Sequence, residues 1–201
     1  MDVRLAKSGL SKILPLDTSR LRIREFKPWD AEDLYELHRD CRVTRHAGGV
    51  KSKKQSGESL RRIMNRTRPA GFGALALEHC ESGDVIGWCG VQRMPSTELY
   101  EVIYALRRQS WGQGFASEAA EALMREAFML EDLAITDLYA LVYPQNIRSI
   151  LVLERLGMTF VENRLDETAG RHACLYRVSK EDFMRLIGAS RVELPYSSLS
   201  K

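Results

Sequence analysis

The sequence predicts one α/β domain built on a mixed, mostly antiparallel sheet with helices packed against it. Three observations predict this fold class. Strand-like runs at 72–79, 85–92 and 98–107 are joined by the short, turn-rich links ESGD and MPST, as in an antiparallel meander. The last of these runs ends in a glycine-rich turn, feeds a long helical stretch and reaches another strand, which makes a parallel crossover. The chain has 201 residues, 44% hydrophobic and 28% charged, enough for one well-buried core in a water-soluble protein.

The elements follow in order. Residues 1–20 read as an N-terminal extension without the continuous apolar segment of a secretory signal. LRIREF (21–26) alternates apolar and polar residues, as a half-buried strand does. Pro28 then opens DAEDLYELHRD, whose Leu34, Leu37 and His38 recur at helical spacing. HAGGVKSKKQSG, rich in glycine, small polar residues and lysine, reads as a loop. A second helix is predicted from about Ser56 to Arg68, with Leu60, Ile63, Met64 and Thr67 on one face and Pro69 and Gly71 beyond its end. After the meander, Phe115, Ala119, Leu123, Ala127 and Leu130 recur at steps of three or four and predict a helix from Phe115 to about Leu130. LYALVY (138–143) has a continuous apolar centre, the pattern of a strand covered on both faces. PQN breaks it, RSILVLERL forms a helix, and Gly157 stops that helix. TFVENRLD and RHACLYRV flank ETAG as a hairpin, and a short helix near EDFMRLIG closes the domain. The domain spans 21–187, and 188–201 is a loose polar tail.

Composition excludes several function classes. The net charge of +3 is too weak to argue for nucleic acid. No apolar run approaches the ~18 residues of a membrane helix. Cys41, Cys80, Cys89 and Cys174 form no CxxC pair and read as reduced thiols of a cytoplasmic protein. His38, His46, His79 and His172 show no metal-ligand spacing, so no metal is expected. KSKK (51–54), with Arg61, Arg62, Arg66 and Arg68, is basic and reads as a solvated face or as a surface for an acidic partner.

The segment WGQGFASEA (111–119) raises the chemical question. It crowds small residues where a strand gives way to a helix. The first N–H groups of a helix have no intrahelical partner, and the helix dipole adds about half a positive charge there. Gly112, Gly114, Ala116 and Ser117 would let a pyrophosphate reach those amides, and Ser117 adds a hydroxyl. The same residues would also suit a tight turn followed by a small-residue packing face. A P-loop is excluded, because no lysine follows the glycines, and GQGFAS lacks the third glycine of a dinucleotide fingerprint.

Together, YEVIYALRRQSWGQGFASEAAEALMREAF and YPQNIRSILVLERLGM closely resemble the acyl-CoA site of the GNAT N-acetyltransferases. The branch they look like contains the ribosomal-protein N-terminal acetyltransferases. In the signature Q/R-x-x-G-x-G/A, Trp111 takes the first place, Gly114 the glycine and Ala116 the final small position. Tryptophan departs from the strict signature. The resemblance runs from about Leu21 to Ile187 and is most specific over 101–160. It implies a seven-stranded mixed sheet split between its fourth and fifth strands, with acetyl-CoA in the split as acyl donor. The implied donor contacts are Trp111, Gly112, Gln113, Gly114, Phe115, Ala116 and Ser117, with the pyrophosphate at the amides near Gln113, Gly114, Ala116 and Ser117. Ala105 and Leu106 would pair with the pantetheine like an added strand.

The resemblance also implies catalytic candidates. Glu101 stands before V-I-Y where the branch has E-I-G-Y, and it is the candidate base; a solvent-facing strand glutamate is the alternative. Glu98 has the opposite strand parity, so only one of the two can face the substrate. Many relatives protonate the leaving thiol with a tyrosine, but that position holds Leu153 here. Asn146 is then a candidate pantetheine contact and Ser149 a candidate catalytic hydroxyl, against ordinary turn and first-turn roles. Tyr104 and Tyr143 read as packing residues, and Glu118 as structural. The expected reaction is direct transfer of an acetyl group to an amine, either a protein N-terminal α-amine or a small molecule. A non-catalytic acyl-CoA-binding module is the rival. Monomer and homodimer both remain open.

Overall fold

The computed structural model of the protein describes residues 13–65, 73–166 and 169–192. The strands are β1 (Leu16–Asp17), β2 (Leu21–Arg24), β3 (Leu75–His79), β4 (Val85–Arg93), β5 (Tyr100–Leu106), β6 (Asp137–Val142), β7 (Thr159–Asp166) and β8 (Arg171–Ser179). The α-helices are α1 (Ala31–Arg39), α2 (Cys41–Thr44), α3 (Lys53–Asn65), α4 (Phe115–Met129), α5 (Ile147–Arg155) and α6 (Lys180–Val192). The sheet order is β1-β2-β3-β4-β5-β6-β8-β7. All neighbours are antiparallel except β5 and β6.

The α/β class, the mixed sheet and the central crossover are as the sequence predicts. The strand number is eight rather than seven, because Leu16 and Asp17 pair with Ile23 and Arg22 inside the stretch read as an extension. Helix α6 reaches residue 192 and takes in the start of the stretch expected to be loose; the rest of that tail lies outside the described residues. No helix among the described residues is long and apolar enough to cross a membrane. All four cysteines carry free thiols.

The sheet around β3 is covered on both faces, and this is why LALEH is so apolar. Leu75 and Leu77 enter the main core, whereas Ala76 faces a second cluster with Phe26, Leu34, Leu60 and Val85. Helix α4 lays Phe115, Ala119, Ala120, Leu123, Met124, Ala127 and Phe128 on the main core, the wide apolar stripe its spacing requires. Strand β6 departs from expectation: Leu138, Ala140 and Val142 are buried, while Tyr139 and Leu141 are only half-buried. Helix α3 begins at Lys53, inside the predicted loop. The cause is local. Ser52 N–H donates to the Gln55 side chain at 2.8 Å and Gln55 N–H donates to Ser52 Oγ at 3.3 Å, a reciprocal capping box. Leu60 is buried on this helix but Met64 is exposed, and Thr67 lies outside the described residues.

Candidate active site

The two strands at the centre of the sheet separate. Tyr100 pairs with Leu138 and Glu101 with Tyr139, and there the β5–β6 ladder stops. Beyond it β5 stays in register with β4 as far as Leu106, and β6 with β8 as far as Val142. A split therefore opens along residues 102–106, one strand edge deep.

The direction of the backbone groups along that edge follows from the β4 register. Arg107 N–H donates to Ile86 C=O at 2.8 Å and Met94 N–H to Leu99 C=O at 2.8 Å. Antiparallel pairing alternates, so the odd residues of β5 turn their N–H and C=O groups to β4. Ala105 is one of these, and its carbonyl approaches Gly87 so closely that a Cβ there would lie 2.4 Å away. The edge facing the split is instead that of Val102, Tyr104 and Leu106. This corrects the expected pairing at Ala105. At Leu106 the carbonyl accepts the Trp111 indole N–H at 2.9 Å, which leaves its N–H for the split. Trp111 thus closes the end of β5, with the Arg148 guanidinium 5.1 Å from its ring centroid.

The end of the split meets the N-terminus of α4. Gly112 and Gly114 have φ of 75° and 84°, left-handed backbone that glycine adopts freely. The first i→i−4 bond of α4 runs from Glu118 N–H to Gly114 C=O at 3.0 Å, so the amides of Phe115, Ala116 and Ser117 sit ahead of the ladder. Ser117 Oγ is shut from solvent without a hydrogen-bond partner. Free amides, no acidic side chain among residues 111–117 and an orphaned hydroxyl fit a pyrophosphate. Gln113 spends its side chain locally, donating to Gln109 C=O at 2.7 Å.

Sequence reasoning missed what holds this turn. The Glu118 carboxylate accepts hydrogen bonds from Thr18 Oγ1 at 2.6 Å, Ser19 Oγ at 2.9 Å, Arg20 N–H at 2.9 Å and Arg20 Nε at 2.8 Å. Arg20 also donates to Gln113 C=O at 2.8 Å and lies 4.4 Å from the Phe115 ring centroid. Burial pushes the Glu118 pKa up, but the bonds from Thr18, Arg20 and Ser19 outweigh it and hold the pKa low. Glu118 is structural, as expected, and its partners come from the supposed extension.

Glu101 is buried at 8% exposure, and Gln92 Nε2 donates to its Oε1 at 3.0 Å. Burial raises its pKa, the Gln92 bond lowers it, and the Asp166 charge raises it further; the net shift is upward. Glu98 is exposed and paired with Arg93 at 2.5 Å. Glu98 thus stands ahead of β5 in solvent, and of the two Glu101 is the buried one. Asp166 in turn accepts from the Tyr143 hydroxyl at 2.5 Å, and Tyr143 packs between the His46 ring and the Arg171 guanidinium. His46 Nδ1 is buried without a partner.

On the other wall, Asn146 caps α5 by accepting from Ser149 N–H at 3.4 Å, so its amide nitrogen is not used in the cap. Ser149 Oγ lies 2.8 Å from the Tyr104 hydroxyl, which also donates to Ser149 C=O at 3.2 Å. Tyr104 packs against the main core, as expected, and also carries this hydroxyl contact. Burial pushes its pKa well above the ordinary phenol value, so the hydroxyl stays protonated. Leu153 is 1% exposed, a core residue with no part in the split. Glu101 and Tyr104 are three apart on an alternating strand, so their side chains leave opposite faces of β5. Within the basic run, Lys53 pairs with Glu32 at 2.6 Å and Lys51 donates to Ser59 at 3.1 Å. Arg66 and Arg68 lie outside the described residues.

Comparison with known proteins agrees with this geometry. YkkB, an uncharacterized protein of Bacillus subtilis (strain 168), is 30% identical over 148 residues, covering 72% of this chain and 85% of that protein. The uncharacterized N-acetyltransferase p20 of Bacillus licheniformis is 29% identical over 145 residues, covering 71% and 80%. The solved structure of Mycobacterium smegmatis RimJ in complex with CoA-disulfide superposes with a TM-score of 0.64 at 17% identity, covering 89% of this chain and 96% of that one, a likeness of fold. The acetyltransferase (GNAT) domain family matches residues 20–159, which run from the clamp on Glu118 through the split to α5. With the central ladder opening onto a glycine-started helix and the family match spanning both, the chain is a member of the GNAT acetyltransferases.

Proposed function

We propose that the protein is an acetyl-CoA-dependent N-acetyltransferase that passes the acetyl group directly to a primary amine within a ternary complex. The observation that carries this reading is the division of groups about β5. A buried carboxylate stands on one face and a hydroxyl pair on the other, at a split that ends on free helix amides.

In this reading the donor's pyrophosphate meets the amides of Phe115, Ala116 and Ser117 and the Ser117 hydroxyl. Its pantetheine runs along the Val102–Leu106 edge, with Asn146 opposite. The acceptor nitrogen approaches from the Glu101 face. Glu101 takes its proton, directly or through water; burial raises the basicity that makes this transfer favourable. Nitrogen attacks the thioester carbonyl carbon, and a split-facing N–H of β5 steadies the oxyanion. The C–S bond then breaks, and the thiolate takes a proton from Ser149 as Ser149 takes one from the protonated Tyr104 hydroxyl 2.8 Å away, which solvent then reprotonates. The acceptor is a protein N-terminal α-amine or a small-molecule amine.

The test is a melting curve with acetyl-CoA and with NAD as control. Acetyl-CoA at 100 times its dissociation constant should add about 2.7 kcal/mol of stability, and NAD none. No shift at millimolar acetyl-CoA would remove the donor from the reading. A shift without acetylation of any peptide or small-molecule amine would make the protein a binding module instead.

A further inference from the structure

Tyr143 gathers charges of both signs that the proposed transfer steps do not use. It follows β6, and its neighbours come from the segment after α2 and from the β7–β8 hairpin. At its hydroxyl end stands Asp166, whose carboxylate accepts from the Tyr143 O–H at 2.5 Å and from the Ala169 N–H at 3.1 Å. Over its ring lies the Arg171 guanidinium, 4.1 Å from the centroid. Asp166 and Arg171 are opposite one another in the β7–β8 ladder, yet they form no ion pair, because the carboxylate is taken up at Tyr143 and Ala169. Among the described residues neither Arg171 nor Arg45 pairs with a carboxylate, and both are exposed. The His46 ring packs on Tyr143 with its centroid 5.6 Å away. Burial and then the charges of Arg45 and Arg171 push the His46 pKa down, so both guanidinium groups bear on that ring. Burial and, after it, the Asp166 charge raise the Glu101 pKa, so that carboxylate bears on Glu101. The signs thus separate across Tyr143, with acids at its hydroxyl and cations about its ring.

We propose that the acceptor is a free amino acid, bound with its nitrogen at Glu101 and Asp166 and its carboxylate on Arg171 and Arg45. This rests on the acetyl-transfer reading above. A surface with acids at one end and unpaired guanidinium groups at the other complements a zwitterion. The acids attract the acceptor in its ammonium form, and Glu101 then takes the proton. A guanidinium fork matches a carboxylate through two parallel N–H···O bonds, and packing on the Tyr143 ring holds the plane of Arg171 in place. A plain amine leaves the cationic end unanswered. So does a peptide N-terminus, which has a neutral amide where the amino acid has its carboxylate, unless an acidic side chain follows. Such a peptide carries the same pair of charges and is one arm of the test.

The test is the rate of CoA release from acetyl-CoA by the full chain with a panel of free amino acids. Each is run beside its decarboxylated amine and its α-amide, and the dipeptide amides Ser-Glu and Ser-Gln are added. The amino acid should exceed its decarboxylated amine and its α-amide about tenfold or more in kcat/KM, the worth of a charge-assisted hydrogen bond. Arg171→Gln should raise KM for the amino acid about tenfold with kcat within about twofold, and Arg171→Lys should recover part of the loss. A guanidinium that merely packs on Tyr143 would instead lower the turnover of every amine alike. Arg45→Gln should act in the same direction as Arg171→Gln, and melting curves of the variants separate lost binding from lost folding. Decarboxylated amines used as well as amino acids, a preference indifferent to both arginines, or acetylation of no amino acid would each overturn the proposal. Ser-Glu amide preferred to every free amino acid, with that preference lost in Arg171→Gln, assigns the carboxylate to a peptide side chain and overturns it equally. Any of these results with the acetyl-CoA melting shift intact and plain amines acetylated leaves the transfer reading standing, whereas loss of that shift removes the transfer reading itself.

Discussion

At the scale of single residues, Glu101 and His38 carry predictions of opposite kinds. In the proposed mechanism Glu101 acts as a base only when ionised, and burial raises its pKa. The acid limb of kcat/KM should therefore lie above the usual carboxylate range, with activity rising as pH rises through it. Glu101→Gln should lower kcat by about a hundredfold or more and remove that limb, while leaving the acetyl-CoA melting shift intact. A variant with full turnover would return Glu101 to a structural role. His38 concerns stability. It is buried beside α3 with Nδ1 2.9 Å from Ser56 Oγ, and burial, with the Lys51 charge, pushes its pKa from 6.5 to about 4. The folded state thus resists a proton that the unfolded chain accepts. Stability should fall as pH drops from 6.5 towards 4, and His38→Gln should flatten melting temperature across that window. The sequence exposed Glu101 through its motif. It could not expose the Tyr104–Ser149 contact, because those residues stand 45 apart in the chain and meet only where α5 crosses the split.

At the scale of elements, backbone approach decides what side-chain pattern cannot. Gly90 lies in β4 where a Cβ would stand 1.7 Å from the Gly73 carbonyl oxygen. Gly90→Ala should cost about 3 kcal/mol, read from denaturant unfolding, because backbone rather than a flexible side chain must give way. A neutral result would mean that the 73–74 segment moves aside freely. The start of α3 shows a local signal that was present but weak: Ser52 and Gln55 form the capping box inside a stretch whose glycines and lysines suggested a loop. Strand β1, with only two residues, has too little periodicity to be legible. Its role comes from position, since it leads into the three residues that clasp Glu118.

Across the whole molecule, the meander and crossover were legible because hydrophobic period and turn chemistry agree from β3 to α4. The split was not legible as geometry; the resemblance supplied it, and the register then determined which β5 residues face it. That register is why Ala105 gave way to Tyr104 and Leu106. The clamp on Glu118 joins the start of the family match to the first turn of α4 in space. Glu118→Ala should therefore cost about 2 kcal/mol, seen as a lower melting temperature and faster proteolysis before residue 21. If neither changes, the N-terminal contacts contribute nothing to the fold.

Arg20 has a wider consequence, because it grips both the Glu118 carboxylate and the Gln113 carbonyl at the mouth of α4. If the donor occupies the helix mouth as proposed, docking of the first strand and binding of the donor form one coupled equilibrium. Coupling of this kind is reciprocal. The acyl donor should slow hydrogen exchange in residues 16–20, and any fusion that pulls those residues away should weaken the donor by the same factor. In the proposed reading, residues 16–20 would thereby tune the donor's affinity from within the same chain.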